Sequence, residues 1–229
     1  MPTVPGWPTF AVVVTAKTVR WAGGEVTARV IRRGGRGILL AHGAGTNQDH
    51  PSMVAIRDGL AHAGLSVMTF NYPYTERGSK APDRQDRLIE CHRAAADAFS
   101  KSVDDVFLGG RSMGGRMATY LVADGYEASG LVLYAYPLHP AGKPEKLRVE
   151  QFPRITIPML FLQGTRDALS KMELFNEQIV PLPKAKVVLL DGAGHGFRGG
   201  GWDLATLTDR YVSETRMWID SLSSGESSE

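Results

Sequence analysis

The chain has 229 residues, 43% of them apolar, with 26 Lys+Arg against 24 Asp+Glu and a formal charge of +2. That composition excludes collagen, coiled coil and wholesale disorder, and the length suffices to bury one sizeable core. Nearly cancelling charge argues against nucleic acid or an anionic membrane surface as partner, no apolar run approaches the roughly 20 residues of a spanning helix, and small molecules are left as the leading partner class.

The opening Met1-Pro2-Thr3-Val4-Pro5-Gly6-Trp7-Pro8 lacks the basic and long apolar segments of a secretory signal, so a soluble, cytoplasmic protein is expected. Two β-branched runs, Phe10 to Thr15 and Glu25 to Arg32, flank Ala22-Gly23-Gly24 and predict an antiparallel pair. From Gly37 onward short apolar runs alternate with longer amphipathic ones, the rhythm of buried parallel strands joined by crossover helices. The strands are placed at Ile38 to Ala41, Leu65 to Asn71, Asp105 to Gly109, Gly130 to Tyr136, Met159 to Gln163 and Lys186 to Leu190. Helices are placed at Ser52 to Ala63, Asp83 to Ser100, Met113 to Ala123, Lys171 to Ile179 and Asp203 to Ser221.

No repeat or Pro/Gly/Ser linker divides the chain, so one α/β domain over residues 1–221 is expected, followed by a polar, frayed tail at 222–229. The stretch from Tyr136 to Met159 is too short for a cap domain, which predicts a comparatively open site. Cys91, the lone cysteine, cannot form an internal disulfide and fits a reducing compartment. Its setting in a helix-like run predicts a small apolar filler rather than a reactive thiol.

The sharpest signal is Gly110-Arg111-Ser112-Met113-Gly114-Gly115, a G-x-S-x-G that follows an apolar run and precedes a helical one. A tight strand-to-helix turn there would hold Ser112 strained and exposed to a reactant, with glycines relieving the crowding. The same pattern can also make a plain turn or an anion site at a helix N-terminus, so the partners decide. Asp167 follows the run Met159 to Gln163 after a glycine; read alone it is equally a helix cap. Asp191 competes with it but opens the turn that carries the histidine. His195 sits in the glycine-rich loop after the last strand, which completes the order Ser, Asp, His.

An oxyanion hole is expected from the backbone N–H of Met113 and of Ala44, the latter in the loop after Ile38 to Ala41. His42, His50 and His62 lack the i, i+4 spacing of a zinc pair, so no metal is expected and His42 reads as a structural loop residue that could also meet substrate. His139 reads as scaffold or as pocket wall, and Arg111 reads either as favouring an anionic substrate or as tied to a structural carboxylate.

With elbow, acid loop and histidine loop in this order, the chain from about Gly37 to its end resembles the α/β-hydrolase superfamily. Gly192-Ala193-Gly194-His195-Gly196-Phe197 and the missing cap resemble its dienelactone-hydrolase-like branch. The combination Leu40-Ala41-His42-Gly43-Ala44-Gly45, Gly110 to Gly115 and Gly164-Thr165-Arg166-Asp167 is similar to the small testis-expressed, Tex-type group. Dienelactone hydrolases carry cysteine where this chain has Ser112, so their activity is not carried over. The resemblance implies a mostly parallel eight-stranded sheet flanked by helices, no cofactor, and hydrolysis of carboxylic esters or related small acyl compounds. Acyl transfer through the same residues and a non-catalytic protein-binding scaffold are the alternatives.

Overall fold

Eight strands form one sheet in the order β1-β2-β4-β3-β5-β6-β7-β8 in the computed structural model, which describes residues 12–196 and 199–224. They are β1 (Thr15–Trp21), β2 (Gly24–Ile31), β3 (Arg36–Ala41), β4 (Ser66–Phe70), β5 (Asp105–Arg111), β6 (Gly130–Tyr134), β7 (Met159–Gly164) and β8 (Ala185–Leu190). β2 runs antiparallel to both β1 and β4, and every pairing from β4 through β3 to β8 is parallel. The helices are α1 (Pro51–His62), α2 (Pro73–Glu76), α3 (Gln85–Ser100), α4 (Met113–Ala123), α5 (Met172–Gln178) and α6 (Leu204–Ser224). Among the described residues no helix is long and apolar enough to cross a membrane.

The central strands are apolar on both faces because helices cover both, and alternate residues divide between two cores. Leu39, Leu108, Leu131, Leu133 and Phe161 pack with Leu88, Phe99, Met117 and Phe175 of α3, α4 and α5. Ile38, Leu40, Phe107, Val132 and Leu160 pack with Met53, Ile56, Leu60, Leu207 and Trp218 of α1 and α6. Each fully buried side chain of this size contributes about 1.5–3 kcal/mol. Between β6 and β7 the chain forms a single 3-10 turn, Phe152–Arg154, whose Phe152 ring packs on Tyr136 and Phe161. No helical lid covers this stretch of the rim among the described residues.

Several sequence expectations need correction at their boundaries, among them the following. The first strand was expected at Phe10 to Thr15; residues 10 and 11 lie outside the described residues, and the strand that pairs with β2 is Thr15–Trp21. A tight turn at Ala22-Gly23 sets this register, pairing Trp21 with Gly24, while β1 hides little more than Val19 and so shows no apolar run. β6 stops at Tyr134 rather than Tyr136, because Ala135 takes φ 49° and turns the chain out of the sheet. α6 continues to Ser224, three residues beyond its predicted end; weak helix formers at a terminus do not mark a stop by themselves. The remainder of the expected tail, 225–229, lies outside the described residues.

Candidate active site

The parallel strands end along one rim, and the register brings those ends level: Ala41 of β3 pairs with Gly110 of β5, and Arg111 with Tyr134 of β6. Ser112 follows directly, at φ 52° and ψ −116°, between β5 and the first turn of α4. A non-glycine residue in the left-handed region carries strain of order 1–3 kcal/mol, which the surroundings must offset. Here the Ser112 N–H donates to the Tyr134 carbonyl at 2.9 Å and its own carbonyl accepts from Arg116 N–H at 3.1 Å.

The glycines of the motif are required by space. A Cβ on Gly114 would lie 2.2 Å from the Ala41 carbonyl oxygen, and one on Gly110 would lie 2.6 Å from the Gly115 nitrogen. The helix therefore starts pressed against the end of β3, and only residues without a side chain let it come so close.

The structure brings Ser112, His195 and Asp167 together. His195 Nε2 lies 2.9 Å from Ser112 Oγ, and His195 Nδ1 lies 2.8 Å from Asp167 Oδ2. With the carboxylate accepting at Nδ1, that nitrogen carries the proton and Nε2 is left to accept from the serine hydroxyl. The Asp167 side chain is fully buried, while 24% of the His195 side chain is exposed. Buried charge needs several donors, and Asp167 has three: His195, Gln163 Nε2 at 2.9 Å to Oδ2, and the Leu169 N–H at 2.8 Å to Oδ1. The competing readings of Asp167 thus describe two oxygens of one group, since Oδ1 closes a local turn while Oδ2 meets the imidazole. Asp191 instead accepts from Thr165 Oγ1 at 3.1 Å and, through its carbonyl, from Trp202 Nε1 at 2.7 Å, which fastens the histidine loop.

His42 is fully buried, and its Nε2 accepts from the Tyr72 N–H at 3.1 Å. Nδ1 must then carry the proton and donate to the Gly43 carbonyl at 2.8 Å. Burial pushes His42 down to about 4, so the ring is neutral at physiological pH. Thr46 Oγ1 at 2.9 Å and the Tyr74 hydroxyl at 3.4 Å donate to the same carbonyl, which fixes the plane of the Gly43–Ala44 peptide. Ala44 is exposed and Met113 buried; neither N–H is taken by a protein acceptor among the described residues.

His139 is buried too, with Nε2 accepting from the Lys171 N–H at 3.1 Å and Nδ1 donating to the Pro140 carbonyl at 2.9 Å. It ties the segment after β6 to the start of α5. Arg111 Nη2 donates to the main-chain carbonyl of His195. Burial lowers the Arg111 pKa, with Tyr211 and Asp167 acting in the opposite direction. Cys91 is buried and pushed up to about 12, chiefly by desolvation, which leaves an inert thiol. Among the described residues no group of three or more His, Cys, Asp or Glu gathers as a metal site.

Two contributors escape sequence reasoning. Gln163 reads as the polar end of an apolar strand, and only the fold shows it donating to Asp167. Ala135 carries no chemical signal for its strained turn, although it lies beside the Tyr134 carbonyl that holds Ser112.

The sheet order and the Ser-His-Asp geometry define an α/β-hydrolase, and a family model described as alpha/beta hydrolase domain matches residues 35–219. The chain belongs to that family. Among solved structures it is similar to Est1E from Butyrivibrio proteoclasticus, at 14% identity and TM-score 0.72 over 90% of this chain and 99% of the other. It is similar to an alpha-beta serine hydrolase homologue from Coxiella burnetii, at 18% and 0.70 over 90% and 99%. A dienelactone hydrolase from Anabaena variabilis matches at 19% and 0.70 over 88% and 96%. At these identities the likeness establishes the shared fold.

Proposed function

We propose that this hydrolase is a serine esterase that cleaves carboxylic esters or related small acyl compounds through an acyl-enzyme on Ser112. The single observation that carries the reading is the unbroken relay of 2.9 Å from Ser112 Oγ to His195 Nε2 and 2.8 Å from His195 Nδ1 to Asp167. His195 takes the hydroxyl proton as Ser112 attacks the acyl carbonyl, and Asp167 stabilises the imidazolium that forms. The imidazolium then protonates the leaving alcohol, and the neutral ring activates water to release the acid.

The N–H groups of Met113 and Ala44 are the donors for the tetrahedral oxyanion. Met113 N–H stands at the start of α4, where the helix leaves its first donors open and the dipole favours negative charge. The Ala44 N–H belongs to the peptide whose carbonyl three side chains hold, so it needs no reorganisation as charge develops. Backbone strain at Ser112 favours an enzyme over a binding scaffold, since a scaffold gains nothing from a strained serine.

Short acyl groups are the substrates this reading expects. The motifs Leu40 to Gly45, Gly110 to Gly115 and Gly164 to Asp167 support placement in the Tex-type group, and the single buried Cys91 supports a reducing, cytoplasmic setting.

The test is a fluorophosphonate probe with turnover of p-nitrophenyl acetate. The parent protein is expected to be labelled at Ser112 alone, and Ser112→Ala is expected to lose label and at least about 10⁴-fold in kcat. Full esterase activity in Ser112→Ala ends the assignment.

A further inference from the structure

The sequence from Asp191 to Trp202 carries six glycines, so the loop that holds His195 starts from a large conformational freedom that folding must remove. Its entry is well fastened: Thr165 N–H donates to Leu190, Arg166 N–H to Ala193 at 3.0 Å, and Gly192 N–H to Thr165 Oγ1 at 2.8 Å. Its exit is fastened by the Trp202 indole on the Asp191 carbonyl. At the tip the picture changes. Among the described residues, the main chain of 194–196 makes one hydrogen bond to protein, and its donor is the guanidinium of Arg111.

Arg111 is suited to that task by where it stands. It ends β5 one residue before Ser112, its backbone is locked opposite Tyr134, and a Cβ placed on Gly43 would lie 3.4 Å from its Nη1. The rigid fork therefore rests on the loop after β3 with one arm and holds the His195 carbonyl with the other. A planar guanidinium loses less freedom per hydrogen bond than a lysine would, and it stays charged even where burial lowers its pKa. The residue that neighbours the nucleophile in sequence thus reaches across the rim to the base.

We propose that Arg111 is the positioning residue for the base: its guanidinium anchors the main chain at His195 and so keeps the imidazole over Ser112. The proposal rests on the reading of Ser112 and His195 as nucleophile and base. It assigns Arg111 no contact with substrate, in contrast to an arginine that recognises an anionic acyl group.

The experiment compares Arg111→Met and Arg111→Lys with the parent in two measurements. In the first, with p-nitrophenyl acetate and an ester bearing a carboxylate, Arg111→Met lowers kcat about 10²-fold while KM stays within about twofold for both esters. Arg111→Lys restores roughly a tenfold share of the loss, because an ammonium keeps the charge and one donor on a shorter reach. In the second, amide hydrogen exchange at residues 192–196 is faster in Arg111→Met than in the parent, with exchange in β5 and α4 unchanged. This second measurement needs no turnover, so it tests the anchor even if the parent hydrolyses neither ester, an outcome that would count against the esterase alone. If Arg111→Met does not fold, Arg111→Lys is read by itself, with partial loss of kcat and intermediate exchange expected. Parental kcat with parental exchange in the folded variant overturns the proposal, as does a KM that rises selectively for the carboxylate-bearing ester.

Discussion

Replacing Gly114 by alanine sets two effects of known sign against each other. Within a helix alanine is favoured over glycine by about 1 kcal/mol, so the substitution would stabilise α4 if space allowed. Space does not allow it: the new methyl would lie 2.2 Å from the Ala41 oxygen, 2.5 Å from its carbonyl carbon and 2.8 Å from the His42 oxygen. Carbon–oxygen contacts settle near 3.3–3.6 Å, so the start of α4 must retreat from β3 by about 1 Å. All three obstructing atoms are backbone, and the two of Ala41 are held by the β3 pairing to β4 and β5 and cannot swing aside. Overpacking of this kind costs about 1–3 kcal/mol, and contacts this short place the site at the upper end, so the propensity gain is outweighed with a net loss of about 2 kcal/mol. For a chain of this size that is a fall in Tm of roughly 4–8 °C. The same retreat carries Ser112 and the Met113 N–H about 1 Å from their stations, for which about 10²-fold in kcat is expected. Gly125→Ala is the control, since its φ of 85° strains the backbone but nothing lies within 4 Å and the rim is untouched. Thermal melts and p-nitrophenyl acetate kinetics on both variants decide the matter. A Gly114→Ala protein as stable as the parent and equally fast would refute the packing argument.

Gln163→Leu removes a donor from the buried Asp167 carboxylate while keeping the volume of the side chain. A loss of about tenfold in kcat is expected with little change in KM, and unchanged kcat would show that His195 and Leu169 suffice to orient the acid. Acid should destabilise the fold through two buried imidazoles. Burial pushes His42 down to about 4 and His92 down to about 3, whereas both titrate near 6.5 when unfolded, so between pH 6.5 and 4 the unfolded chain binds more protons. Stability is therefore level above about 6.5 and falls as the pH drops through that window, by on the order of 2 kcal/mol per histidine at pH 5. Urea denaturation at pH 7 and pH 5 measures it. His92→Gln should flatten part of the slope, and an unaltered slope would remove His92 from the account.

How much the sequence discloses depends on what each residue faces. The strands from β3 to β8 were legible because most lie between two helical layers and spell continuous apolar runs. β1 was not, because an edge strand that buries little more than Val19 has no reason to be apolar, and its register comes from the turn. In the site, residues whose spacing follows from chain order were legible: Ser112 at an elbow, Asp167 after one strand, His195 after the last. Residues whose role depends on distant contacts were not. Nothing in the sequence says that Gln163 meets Asp167, that Arg111 donates to the His195 carbonyl, or that His42 spends both nitrogens on Gly43 and Tyr72.

The sheet order also explains why the base needs the longest and most glycine-rich of these loops. Ser112 leaves β5, the acid leaves β7 and the base leaves β8, which stands three places from β5 in the sheet. Neighbouring strands are about 4.8 Å apart, so β8 ends roughly 14 Å from the nucleophile's strand. The carboxylate, two places away, can reach an imidazole that sits between it and the serine, but the imidazole itself must be carried back across β7 toward β5. A loop that makes such a return approaches other backbone closely and favours glycine, and that freedom leaves its tip loosely defined unless something on the nucleophile's side takes hold of it. β5 is the nucleophile's own strand, and the residue at its end, Arg111, donates to the His195 carbonyl.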